Sequence, residues 1–390
     1  MPFLSGSASF ERFVVRQFSD SSFSQQHVDV LEKFSSQSMP RFADQEAHVG
    51  YAGGEHLLDN AFDLGKNLID DQLHCSVRIE IDQIPSALKN AWLKMELAAV
   101  AADNSSGRPT RKQRQEAKET IQARCEEELA TGKYRRMQHY PILWDPQESE
   151  LFVSGSSASV LGFVADLIER SFDVQLDRQS AGAVAQAWAR DAGMISQLED
   201  LHPECFVPDV SYSDVAWANE HSDRPDYLGN EFLLWLWWHG QEIGDAIDLG
   251  DGNEVVFMFS KTLMLECPIA ENGKETISSD SPIVLAEARQ AIQTGKLPRK
   301  AGLQLVASGE QYEFVLQAET LGVSGAKVQR DDSENSFSRE DRVNSIRNLR
   351  STIDSLFGAF LERRVGEAWQ ADASAIAAWL HGSPVASAAA

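Results

Sequence analysis

Arg111, Arg114 and Lys118 stand at i, i+3 and i+7 of a segment with helical composition, so their side chains share one face. Cations spaced in this way can meet the phosphates of a polyanion, where binding is carried by Lys and Arg and is sensitive to salt. Arg108 and Lys112 adjoin them, and Lys133, Arg135 and Arg136 follow around Tyr134. Between Arg108 and Arg136, nine basic side chains meet five acidic ones, in a chain whose formal net charge is −24. Everything outside this stretch is therefore strongly acidic and repels polyanions. On charge alone the stretch fits a confined binding surface and equally a solvated helix whose mixed charges aid solubility. A further basic group, Lys296, Arg299 and Lys300, could face the same ligand.

Signatures of catalysis were sought and are missing. The chain contains no GxxxxGK[ST] phosphate loop, no GxGxxG after a strand and no GxSxG elbow. Its nine histidines form neither HExxH nor another ligand spacing, and its four cysteines include no CxxC pair. Reduced thiols in a cytoplasm are the expectation. Asp59, Asp63, Asp70 and Asp71 could hold a divalent cation for phosphodiester hydrolysis, but they are loosely spaced and lack a clear strand framework. These patterns point to no catalytic residue, metal or cofactor. The longest apolar run, Phe232–Trp238, is far short of the ~20 residues that span a bilayer. The opening MPFLSGSASFERF lacks the features of a signal peptide, so no membrane association is expected.

The elements that must position these residues follow from periodicity. Phe10–Phe18 reads as a strand, Ser24–Ser38 as a helix, and Arg41–Gln72 as irregular. His74–Asp82 alternates as a half-buried strand. Ile84–Pro85–Ser86 opens a helix with an apolar stripe at Leu88, Trp92, Met95 and Val100, because the first turn does not need the donor that proline lacks. The basic helix then runs from about Pro109 to Thr131, with Gly132 as its stop, so the two helices form a hairpin. Met137–Asp145 and Glu150–Ser154 are paired strands, followed by a helix over Ala158–Ser171.

Ala181–Asp191 is helical and Leu201–Tyr227 is an irregular connection. Leu228–Gln241, apolar almost all round, is a buried helix; its three tryptophans also suggest base stacking, but they lack the interleaved basic residues of such a platform. Ile243–Leu249, Glu254–Ser260 and Leu263–Cys267 read as strands, with a turn at Gly250–Asp251–Gly252. A helix at Leu285–Thr294 precedes strands at Ala301–Ala307, Gln311–Leu316 and Gly322–Val328. Arg330–Ser338 reads as a mobile link. A long helix capped by Ser338 reaches Val365, a short one covers Ala373–Leu380, and Ser383–Ala390 reads as disordered. The expected class is α+β, with mixed antiparallel sheets and long helices. Its units would be residues 1–180, a connection over 181–227, a central unit over 228–330 and C-terminal helices over 331–390.

Three blocks carry a family likeness. Ile84–Pro85–Ser86, the basic helix, the run GKYRRM over Gly132–Met137 and the strand ending Leu143–Trp144–Asp145 together resemble the N-terminal half of the RdgC family, bacterial recombination-associated proteins. Ala286–Lys296 with the strands from Gly302 and over Gln311–Leu316 is similar to that family's central part, and Ser338–Gly366 to its C-terminal helix. The resemblance implies a non-enzymatic, curved monomer that pairs into a ring-shaped homodimer and binds double-stranded DNA without sequence preference inside a positively lined hole. It also implies restraint of RecA filaments, RecA as a further partner, and a cytoplasmic, nucleoid-associated location. It places Tyr134 at the dimer contact, with Lys133, Arg135 and Arg136 around it, and matches Arg111, Lys112, Arg114 and Lys118 to the family's lysine-rich helix; with Arg108, Lys133, Arg135, Arg136, Lys296, Arg299 and Lys300 these are the residues expected to face DNA. Ser279–Asp280–Ser281–Pro282 stands where the family carries a basic pair, and Gln186–Tyr227 and the tail after Gly366 exceed the family's usual length. An acidic protein-interaction regulator of recombination or of a phage function is the alternative reading.

Overall fold

Along Gln72–Asp82, Leu73, Cys75, Val77 and Ile79 point to one side, and Gln72, His74, Ser76, Arg78 and Glu80 to the other; all nine are buried. The strand was expected to be half-exposed. Instead its polar face is closed over and held by hydrogen bonds: Arg78 Nε donates to Ser36 Oγ (2.8 Å), Arg78 Nη1 donates to Asn60 Oδ1 (3.1 Å), and Arg41 pairs with Glu80. The computed structural model describes residues 3–41, 47–102, 104, 107–207, 215, 224–250, 253–268, 273–330 and 338–382. Much of the expected connection over Leu201–Tyr227, the tip of the Gly250–Gly252 turn, the body of the expected link after Arg330 and the tail Ser383–Ala390 lie outside the described residues.

The elements in chain order are β1 (Ala8–Arg16), α1 (Gln25–Lys33), β2 (His48–Ala52), α2 (Leu64–Asn67), β3 (Leu68–Ile69), β4 (Gln72–Asp82), α3 (Ser86–Ala102), α4 (Arg111–Ala130), β5 (Arg135–Asp145), β6 (Glu150–Val153), α5 (Ala158–Phe172), β7 (Gln175–Arg178), α6 (Ala181–Asp191) and α7 (Ile195–Glu199). The second half adds α8 (Leu228–Glu242), β8 (Ala246–Asp248), β9 (Glu254–Glu266), β10 (Lys274–Ser279), α9 (Ala286–Gln293), β11 (Leu297–Ala307), β12 (Glu310–Gln317), β13 (Val323–Arg330), α10 (Arg339–Val365) and α11 (Trp369–His381).

Two expectations are corrected. The segment expected to be irregular contains β2, which pairs antiparallel with β4. The two strands expected on either side of Ser260 are one, β9, which bends where Lys261 takes φ +63°. A positive φ breaks the alternation that periodicity reads, so one bent strand looks like two.

Among the described residues, thirteen antiparallel strands form one sheet, in the order β10-β9-β11-β12-β13-β1-β6-β5-β4-β2, with β3 and β8 added on β4 and β9 and β7 on β1. β1 is the joint. Its Ala8 and Phe10 pair with Ala326 and Val323 of β13, and its Glu11 to Val14 pair with Val153 to Glu150 of β6. The two halves of the sheet are covered on opposite faces. α1 and α5 close one core with Phe13, Leu73, Val77, Ile142 and Trp144. α8, α10 and α11 close the other, with Phe10, Phe152, Phe257, Leu303 and Tyr312. Trp235, Trp237 and Trp238 lie inside that second core, so the tryptophan helix is core rather than a stacking platform.

Candidate nucleic-acid interface

α4 starts at Arg111, two residues after the expected Pro109, with Thr110 as its cap. Thr110 Oγ1 accepts from Gln113 N (3.3 Å), and Gln113 Oε1 accepts from Thr110 N (2.9 Å), which satisfies two donors that the first turn leaves open. Gln113 and Asn104 also exchange amide hydrogen bonds (2.8 and 3.2 Å), and Asn104 Nδ2 donates to the Arg108 carbonyl (2.9 Å). These bonds fix the start of the basic helix against the end of α3. Ala117, Ile121 and Cys125, spaced by four, face α3 and are buried. Trp92 is the one buried residue of α3, and the Arg124 guanidinium lies 4.2 Å from its ring centroid.

Everything basic on the first half of α4 faces outward. Arg108, Arg111, Lys112, Arg114 and Lys118 are all exposed. Lys112 reaches Glu116 at 3.6 Å but keeps 87 % of its side chain exposed. Among the described residues, Arg111, Arg114 and Lys118 have no ion-pair partner. The second half of the helix has the opposite sign. Arg124, Glu127, Glu128 and Lys133, with Thr120, Ala123 and Thr131, line an open hollow of about 960 Å³ that two glutamates make a poor phosphate site.

The other expected site residues divide by their partners. Arg135 Nε donates to Asp82 (3.1 Å) and stands 3.9 Å from Glu80. Burial opposes ionisation of Glu80, but hydrogen bonds from Arg41 and Ser36 and the charge of Arg78 outweigh it and hold the carboxyl below its usual range. Lys133 lies 3.7 Å from Glu128 and 5.3 Å from the ring centroid of Tyr134. Tyr134 is half-buried against the hairpin's own core beside Ile84, Leu88 and Leu93. Arg136 is exposed.

The group Lys296, Arg299 and Lys300 does not form one open patch. Lys296 has 6 % of its side chain exposed and pairs with Glu275; Arg299 is held by Glu266 and Glu319, both at 2.9 Å. Only Lys300 of the three is exposed. Of the acids considered for a cation, Asp59 pairs with Lys66 (3.0 Å), Asp63 caps α2, and Asp71 accepts from Arg347 (2.8 Å). Among the described residues no group of three or more His, Cys, Asp or Glu is arranged to hold a metal ion. No described helix is long and apolar enough to cross a membrane.

Two features were not legible beforehand. Met95, expected within an apolar stripe, is 69 % exposed, because α3 packs chiefly against α4 and the rest of its surface is open. Charged side chains of α10 form an ionic seam with the first half of the chain: Arg347 with Asp145 (2.6 Å), Arg350 with Glu150 (2.8 Å), and Asp354 with Arg12 (2.8 Å). The density of cations on α10 resembles that of α4, so density by itself does not separate the two cases. No protein-family model matches the chain, and no curated protein matches it in sequence.

Proposed function

We propose that the chain is a non-enzymatic, RdgC-like protein that binds double-stranded DNA without sequence preference through the outward face of α4. The observation that carries this reading is the row Arg111, Arg114 and Lys118, exposed and without ion-pair partners among the described residues, in a chain of net charge −24. A cation that is already paired must give up its carboxylate to take a phosphate; these three need not. Contact with the backbone alone positions a protein on a duplex and reads no bases. The ring-shaped homodimer with Tyr134 at its contact, the restraint of RecA filaments and the nucleoid location belong to the same proposal and rest on the family resemblance. Lys296 and Arg299, each closed in ion pairs, are left out of the DNA-facing set.

Reversing Arg111, Arg114 and Lys118 to glutamate tests the reading. Duplex affinity is expected to fall, and the slope of log K against log salt to become shallower by about 3, since each lost phosphate contact removes about 0.9. Equal affinity and slope in the wild type and the variant would take this face out of the interface. The pairing of Lys296 and Arg299 favours a second reading, an acidic protein-interaction regulator that has no use for DNA. It predicts wild-type duplex binding no tighter than non-specific levels of ~10⁻⁴ M.

A further inference from the structure

The face assigned to phosphate sits on the part of the molecule with least to hold it. α3 and α4 pack chiefly on each other. Their shared core is Trp92, Ile121 and Cys125, separate from the two large cores, with Ile84, Leu88, Leu93 and Tyr134 partly covered around it. α3 buries one side chain in 17 residues and α4 three in 20, whereas α10 buries ten in 27. Helices owe most of their stability in proteins to such packing, and short ones without it are marginal in water.

The charges of α4 run against its own helix. Its first half carries Arg111, Lys112, Arg114 and Lys118, and its end carries Glu126, Glu127 and Glu128. There is no acid in its first turn and no base in its last. The aligned peptide dipoles place partial positive charge at the N-terminus and partial negative charge at the C-terminus, so Arg111, Lys112 and Arg114 in the first turn and Glu127 and Glu128 in the last are repelled by the end they occupy. The Thr110–Gln113 capping box and the Lys112–Glu116 pair oppose this only locally. Anions bound along the first half of α4 would relieve it.

From this combination we infer that the α3–α4 hairpin opens as a unit while the rest of the fold stays closed, and that a bound polyphosphate backbone shuts it. The inference rests on the DNA-binding reading above. A ligand that binds only the closed hairpin multiplies the closed-to-open ratio by one plus the ligand concentration over Kd. Salt acts with two opposite signs. Without DNA it screens the repulsion within α4 and favours closing, while it weakens the duplex contact.

Hydrogen exchange with mass spectrometry on the full chain tests both arms. In the free protein at about 0.05 M salt, α3 and α4 amides are expected to exchange far faster than those of β4 and β11, and to slow as salt rises to about 0.5 M. A mixed-sequence DNA duplex of about 20 base pairs, added at low salt to about 100 times the Kd measured by anisotropy on the same sample, should slow hairpin exchange about 100-fold and leave β4 and β11 unchanged. Hairpin amides as protected as β4 in the free protein would overturn the separate opening, as would exchange that quickens with salt. Duplex that binds while hairpin exchange stays the same would overturn the coupling alone. Duplex that does not bind would overturn the coupling together with the DNA reading.

Discussion

α4 and α10 are both long helices with many cationic side chains, and the fold treats them in opposite ways. α10 has Glu340 and Asp341 in its first turn and Arg363 and Arg364 in its last, as the helix dipole favours, and Asp341 completes a capping box with Ser338. Its apolar stripe enters the larger core, and its cations meet carboxylates from distant parts of the chain, Arg347 with Asp71 and Asp145, Arg350 with Glu150 and Arg364 with Glu231, while Arg363 pairs with Asp372 of α11. α4 reverses the dipole pattern, and Arg111, Arg114 and Lys118 face solvent. The difference teaches that the density of cations on a helix says little about binding. What matters is whether the fold has already supplied their anions.

Breaking the pairing on α10 should have the largest effect. Arg364→Met leaves Glu231, 1 % exposed, as a buried charge without its partner, and is expected to cost about 3–5 kcal/mol in a urea titration. Adding Glu231→Met should recover part of that loss, because it removes the buried charge, although the Glu204 amide and the His202 carbonyl lose the bonds these side chains made. An unchanged midpoint in the single variant would show that the pair does not hold α10 in place.

Next in size is the polar face of β4. His74 is 1 % exposed, and burial, assisted by the charge of Arg339, pushes its imidazole down to about 4. A histidine near 6.5 when unfolded therefore binds its proton more readily in the unfolded chain. Stability from this group is complete above pH ~6.5 and is lost as pH falls toward 4, by roughly 3 kcal/mol in all. His74→Gln should flatten that part of the stability–pH curve, and an identical curve would place the sensitivity elsewhere.

The smallest effect has the opposite sign. Arg111→Glu puts an acid in the first turn of α4 and should stabilise the hairpin by about 0.5 kcal/mol, read as slower exchange over α3 and α4, even though it weakens duplex binding. A loss of hairpin protection instead would show that Arg111 has a structural partner, and the contrast with α10 would fail at that position.

Much of the fold was legible because its causes are local. The stripe Val343, Ile346, Leu349, Ile353 and Leu356 repeats with the helical period and is buried in α10. Ser338 and Thr110 stand at caps whose partners lie three residues on. Gly132 takes φ +70° just past α4. β2 was hidden because five residues amid glycines and a histidine show little alternation, and pairing with β4 is what makes them a strand. The expected site was half legible for a related reason. Charge and spacing pointed to Arg111, Arg114 and Lys118, whose exposure follows from a hairpin with little around it, but the same signal in Lys296 and Arg299 met Glu275, Glu266 and Glu319.

By itself the sequence determined the long helices, most of the strands, their order and the place where positive charge gathers in an acidic chain, since periodicity, capping and composition act over a few residues. Only the tertiary structure decided which cations are spoken for. Arg12 and Asp354 are 342 positions apart and Arg347 and Asp71 are 276, so their pairing depends on how the strands and α10 come together and on no feature of either segment alone.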